Sequence, residues 1–117
     1  MQRLSEPDQS LVSRVINEVS FEERLIGYRM RERAGALMTS LYSFEEVVHL
    51  LNDKFPRLSF QRLEEWLRTV IRDEELAAQI ADAVEQEGND RDRTVRVRML
   101  MGERLCQCKK ANEVTIL

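Results

Sequence analysis

Cys106 and Cys108 stand two residues apart in "LCQCKK", and two thiolates at that spacing can hold a soft ion such as Cu(I). Zinc asks for four ligands. The single histidine, His49, is far away in sequence, and there is no third cysteine to complete a tetrahedral cage. A disulfide across so short a span is strained. The pair is therefore a weak metal candidate, and the expectation is one thiol packed as a small hydrophobe, the other near the surface, and no cofactor. His49 also closes the run Glu46-Val47-Val48-His49, the Glu-x-x-His spacing that di-metal bundles take from facing helices. A second such run is missing. So are a glycine-rich phosphate loop, an HExxH and a GxSxG. The Glu-Glu pairs beginning at 22, 45, 64 and 74 read mostly as helix-start charges. The chain is expected not to be an enzyme.

Arginines are the other chemically distinctive group. "ERLIGYRMRER" gathers Arg24, Arg29, Arg31 and Arg33 around Tyr28, while "RDRTVRVR" gathers Arg91, Arg93, Arg96 and Arg98, with Lys109 and Lys110 beyond. The planar guanidinium suits phosphate and carboxylate alike, so either cluster could meet nucleic acid or an acidic protein surface. The formal charge of −3 hides an asymmetry. Residues 1–44 are neutral overall, residues 45–90 carry twelve acids against five bases, and residues 91–117 carry seven bases against three acids. The basic end can attract an acidic partner or fold back onto the acidic middle.

With 117 residues, 43% of them hydrophobic and 33% charged, the chain suits one ordinary globular domain rather than disorder. No apolar run exceeds three residues, against the roughly 20 that a membrane-spanning helix needs. The start "MQRLSEPDQS" lacks the apolar core of a signal peptide. A cytoplasmic protein is the default expectation.

The positioning elements read as helices. Ser20 and Ser43 are each followed three residues later by Glu23 and Glu46, the spacing of a capping box, and Ser59 opens a third segment. Ser5, with Pro7 in the first turn, is a weaker start. Apolar stripes follow: Val12, Val15, Ile16 and Val19; then Ile26, Met30, Ala34, Leu37, Met38 and Leu41, read as one helix despite Gly27 and Gly35; then Val47, Val48, Leu51 and Phe55; then Phe60, Leu63, Leu67, Val70 and Ile71; then Leu76, Ile80, Ala83 and Val84. The last two stripes lie more than about 100° apart around a helix, which predicts a break at Arg72-Asp73 with Asp73 as cap. "EGNDRD" reads as a loop. Beyond it Val97, Leu100, Met101, Leu105 and Cys108 fit one side of a helix, while the alternation in "TVRVRMLM" leaves a β-hairpin as the alternative.

The order "EVVHLL", turn, "LSFQRLEEWL" resembles the helix-turn-helix segments of DNA-binding regulators across residues 44–71. Its connection, 53–58, exceeds the usual 3–4 residues. Gln61, Glu64 and Glu65 stand where phosphate would have to be faced, in a region of net negative charge. Phe55-Pro56 after a helix also resembles ubiquitin-binding CUE domains, three-helix bundles, although Ala83-Val84 occupies the place of their di-leucine.

Together these features predict an all-α fold, a bundle of five to six helices over residues 1–110, whose C-terminal segment is either a last helix or a short β-hairpin, with a loose tail at 111–117. The expected function is that of a small regulatory or adaptor protein binding another protein, or itself as a homodimer, through exposed aromatic residues such as Tyr42, Phe60 and Trp66. The alternative is a nucleic-acid-binding regulator using Arg29, Arg31 and Arg33 with Arg91, Arg93, Arg96 and Arg98. No membrane contact is expected.

Overall fold

Four side-chain caps decide where four of the helices begin. The computed structural model describes residues 4–33, 35–53 and 56–116, with side chains through residue 113. Helix α1 runs Gln9–Ile16, and the Asp8 carboxylate accepts from the Leu11 amide at 2.8 Å. Helix α2 runs Phe44–Leu51, and Ser43 Oγ accepts from the Glu46 amide at 3.1 Å. Helix α3 runs Phe60–Trp66 from Ser59, whose Oγ accepts from the Arg62 amide at 3.3 Å. Helix α4 runs Glu74–Gln86 from Asp73, whose carboxylate accepts from the Leu76 amide at 3.1 Å. Each bond satisfies a donor that the helix itself leaves orphaned. Asp8, rather than Ser5, starts the first helix.

The expected break between the fourth and fifth stripes is present. After Trp66 the chain widens into a π-helical turn, Leu67–Ile71, and then Arg72 takes the left-handed conformation with φ of 64°. The wider turn lets Leu67 and Ile71 both point inward, after which α4 leaves in a new direction.

The C-terminal segment resolves as helix. α5 spans Asp90–Ile116 and so takes in 111–116 of the stretch read as a tail. The Asn89 side chain accepts from the Asp92 amide at 2.9 Å at its start. Val97, Leu100, Met101, Leu105 and Cys108 are all buried, so the 3.6-residue period prevails over the alternation. α5 packs against α1, α2 and α4, and α3 packs against α4.

Two expectations fail in the first half. Ser20 does not start a helix: a single 3₁₀ turn, Phe21–Glu23, follows, and the Ser20 hydroxyl donates to the Glu23 carboxylate at 3.1 Å instead of capping an amide. The stripe from Ile26 to Leu41 is not a helix either. It is an antiparallel hairpin, β1 Leu25–Arg31 and β2 Gly35–Leu41, with Leu25 opposite Leu41 and Arg31 opposite Gly35. The two glycines explain why. A Cβ on Gly27 would lie 2.5 Å from the end of the Leu50 side chain, so any larger residue there would have to displace Leu50 of α2. Gly35, with φ of 72°, takes the left-handed conformation that closes the turn.

The joint at 53–58 is likewise no helix-turn-helix elbow. Pro56–Arg57 form a short strand, β3, paired with β1 through Tyr28–Arg57 and Arg29–Pro56, giving the sheet order β2-β1-β3. Phe55, and with it the Phe-Pro pair, lies outside the described residues, as does Ala34. The fold is thus mostly helical with a small antiparallel sheet, not a purely all-α bundle.

Candidate functional site

Of the three aromatic anchors expected from sequence, none is a free surface group. Trp66 is only 4% exposed, and its indole N–H donates to the Glu23 carbonyl at 2.7 Å. It is a core residue. Phe60 is half-buried against the core and Tyr42 is half-buried beside Ser43.

The arginines divide. Arg93 Nε donates to the Val84 carbonyl at 2.9 Å, and Arg96 donates to Gln86 at 3.0 Å and Glu87 at 3.3 Å, so both are turned onto the C-terminal end of α4. There they satisfy acceptors and face the negative end of the helix dipole. Arg91 is exposed and Arg98 half-exposed. Arg29 pairs with Asp53 at 3.0 Å, while Arg31 and Arg33 are exposed where β1 turns. Lys109 meets Glu45 at 2.5 Å, a bond that holds the Glu45 carboxyl below its ordinary pKa. Much of the basic C-terminal segment is therefore occupied by the acidic middle.

Cys106 faces outward and Cys108 inward, as two positions on a helix dictate. Burial pushes the Cys108 thiol up to about 11, so it stays protonated at neutral pH. The two sulfurs do not share a site. His49 is exposed, and among the described residues no three His, Cys, Asp or Glu side chains converge as a metal centre requires.

The most connected polar group is one the sequence reading passed over. Arg104 is 1% exposed, donates to Asp73 at 2.8 Å, to Glu75 at 2.9 Å, to Gln107 at 2.8 Å and to the Ser5 carbonyl at 2.6 Å. Gln107 donates to the Leu4 carbonyl at 3.0 Å, and Glu75 accepts both the amide and the hydroxyl of Ser5. The guanidinium thus fastens the N-terminal segment to α4 and α5. Its signal was a charged residue in the middle of an apolar helix face. Every donor is spent on an internal partner, so the cluster is a structural clamp.

The hairpin is the opposite case. Strand alternation and the register place Ile26, Tyr28 and Met30 with Ala36, Met38 and Ser40 on its outer face. Tyr28 is 42% and Met38 66% exposed, and on the other face Leu37 is 45% exposed. Near the body the same strands are covered, at Leu25 and Leu41. The sequence carried this signal in the alternation Ile26, Tyr28, Met30 against Arg29, Arg31.

The two edges of the sheet differ. β3 is two residues long and contains a proline, which blunts it. β2 is seven residues long and has no charge and no proline. Its outer side is met at one point, where the Val19 amide donates to the Tyr42 carbonyl at 2.7 Å just past its end. Alternation then turns the amides and carbonyls of Ser40, Met38 and Ala36 to the same outer side, where no backbone partner reaches them among the described residues.

No protein-family model matches this chain, and neither a curated protein nor a solved structure does so. Among the described residues, no helix is long and apolar enough to cross a membrane.

Proposed function

We propose that this is a small non-enzymatic adaptor or regulatory protein that works by docking another protein chain on its β1–β2 hairpin. One observation carries the reading: a seven-residue, uncharged edge strand whose outward peptide groups are open, beside exposed Tyr28, Leu37 and Met38. An edge of this kind is ordinarily guarded, and one left unguarded is a template for a further strand. The non-enzymatic part is supported by the state of the polar groups. Among the described residues no buried side-chain nitrogen or oxygen lacks a hydrogen-bond partner, and the densest cluster, around Arg104, is closed on itself. The 420 Å³ cleft between α1 and the π-helical turn is shallow and lined by Arg14, Glu18 and Arg72, and the contact there between the Ser20 hydroxyl and the Glu23 carboxylate lacks the histidine of a catalytic triad.

The test is position-specific photo-crosslinking in the cell of origin. A photoreactive side chain at Tyr28 or Leu37 is expected to form protein adducts, and one at Glu85, exposed on α4, to form none. Hairpin positions that capture no more than Glu85 would overturn the reading.

A further inference from the structure

We propose that the occupant of the β2 edge is the β2 edge of a second copy of this chain, paired antiparallel about a dyad at Met38. The inference rests on the hairpin being a docking surface and names its partner. Three observations converge on self-pairing.

The first is the shape of the open edge. The outward peptide groups belong to Ala36, Met38 and Ser40, and the Val19–Tyr42 hydrogen bond closes the edge beyond them. That window is symmetric about Met38. With the dyad there, Met38 meets its own counterpart, and Ala36 meets Ser40 of the second copy. Each outward amide and carbonyl then finds a partner, as an isologous interface requires.

The second is charge. Arg31 and Arg33 lie at the Gly35 end of β2, with Glu32 between them. At the Leu41 end lie Glu18, next to the Val19 that closes the edge, and Glu46, whose carboxylate sits on the Tyr42 amide. Of the bases near that end, Arg24 stacks on the Phe21 ring and bonds Ser40, Lys109 is paired with Glu45, and Arg14 bonds the Ile71 carbonyl and Ser10, while Arg72 lines the cleft beside Glu18. β2 therefore has a basic end and an acidic end. Antiparallel self-pairing lays each on the other, twice, whereas a parallel arrangement would set like on like.

The third is the strand itself. Gly35-Ala36-Leu37-Met38-Thr39-Ser40-Leu41 has no ionisable side chain, so pairing it with itself places no two like charges opposite one another. The apolar outer faces would join across the dyad into one sheet, with the two Met38 side chains adjacent.

The experiment is the purified full chain studied by sedimentation over a concentration series, with amide exchange read residue by residue. The expected result is a species of twice the monomer mass, with Ala36, Met38 and Ser40 protected only at concentrations where it forms. Leu37 and Thr39, which face β1, should be protected throughout. Met38→Lys should weaken the dimer at least about tenfold while leaving the helical circular dichroism unchanged, and Met99→Lys, on exposed α5 surface, should leave the dimer intact. In a Cys106→Ser/Cys108→Ser background, Met38→Cys should oxidise to a covalent dimer, since antiparallel partners lie about 5.5 Å apart at Cα. A dimer unaffected by Met38→Lys would overturn the proposal, because another surface would then hold it. So would a monomer at every concentration. If that monomer still crosslinks from Tyr28 or Leu37 to a different chain, the docking reading stands and only self-pairing falls. If it crosslinks to nothing, both fall.

Discussion

The clamp around Arg104 and the far half of the hairpin are built on opposite plans. At the clamp a charged group is withdrawn from water and surrounded by acceptors until none of its hydrogen bonds is left over. At the hairpin, apolar side chains and peptide groups are left in water with nothing among the described residues to cover them. Folding needs the first and gains little from the second. A surface that costs solubility without adding stability is what the docking proposal rests on.

The comparison can be broken by mutation. The largest effect should come from Arg104→Leu, which leaves Asp73 buried without its counter-charge. A loss of about 3–5 kcal/mol is expected from urea unfolding, and Asp73→Asn added to it should recover part of that loss. Next is Gly27→Ala, where the new methyl group drives into Leu50 and should cost about 1–3 kcal/mol by the same measurement. Ser43→Ala removes the cap of α2 and should cost about 1 kcal/mol. At the other extreme, Met38→Lys should change monomer stability by no more than about 0.5 kcal/mol. If Met38→Lys instead unfolds the chain as Arg104→Leu does, the contrast between the two regions is false.

Acid should also act on the clamp but not on β2, which has no ionisable side chain. Burial pushes the Glu75 carboxyl up, but the Ser5 hydroxyl and amide, and then Arg104, pull it further down, to below its ordinary value of 4.5. A carboxylate with a depressed folded pKa binds fewer protons folded than unfolded. Its contribution is therefore present above pH 4.5 and fades as the pH falls through the lower folded value. Unfolding followed from pH 6 downward should show a shallower acid slope for Glu75→Gln than for the native chain, and the same slope for Met38→Lys.

Where one residue type decided the local structure, the sequence was readable. Ser43, Ser59 and Asp73 cap the helices they were expected to cap, and the change of stripe between Leu67 and Leu76 marked a real change of direction. The hairpin was misread because Ile26, Met30, Leu37 and Leu41 satisfy a helical period while Ile26, Tyr28 and Met30 satisfy a strand period. The tie was broken by Gly27 and Gly35, whose role depends on α2 crossing β1 and on a turn, neither visible along one chain. The candidate site followed the same rule. Trp66 looked like an anchor because aromatic residues often are, but the acceptor that makes it a core residue is the carbonyl of Glu23, far away in sequence. Tyr28 and Met38, which do stand uncovered, had been assigned to an arginine cluster and to a helix stripe.

Arg104 also ties the beginning of the chain to its end. On the ribosome, Ser5 and Asp73 emerge well before the guanidinium they bond, and Leu4 well before the Gln107 amide. Until α5 arrives, the acid at Asp73 has no counterion to be buried with, and Ser5 has only Glu75 to grip. Ser5 and Asp73 must wait for Arg104, so the helical body should close in one step once α5 is made rather than piece by piece.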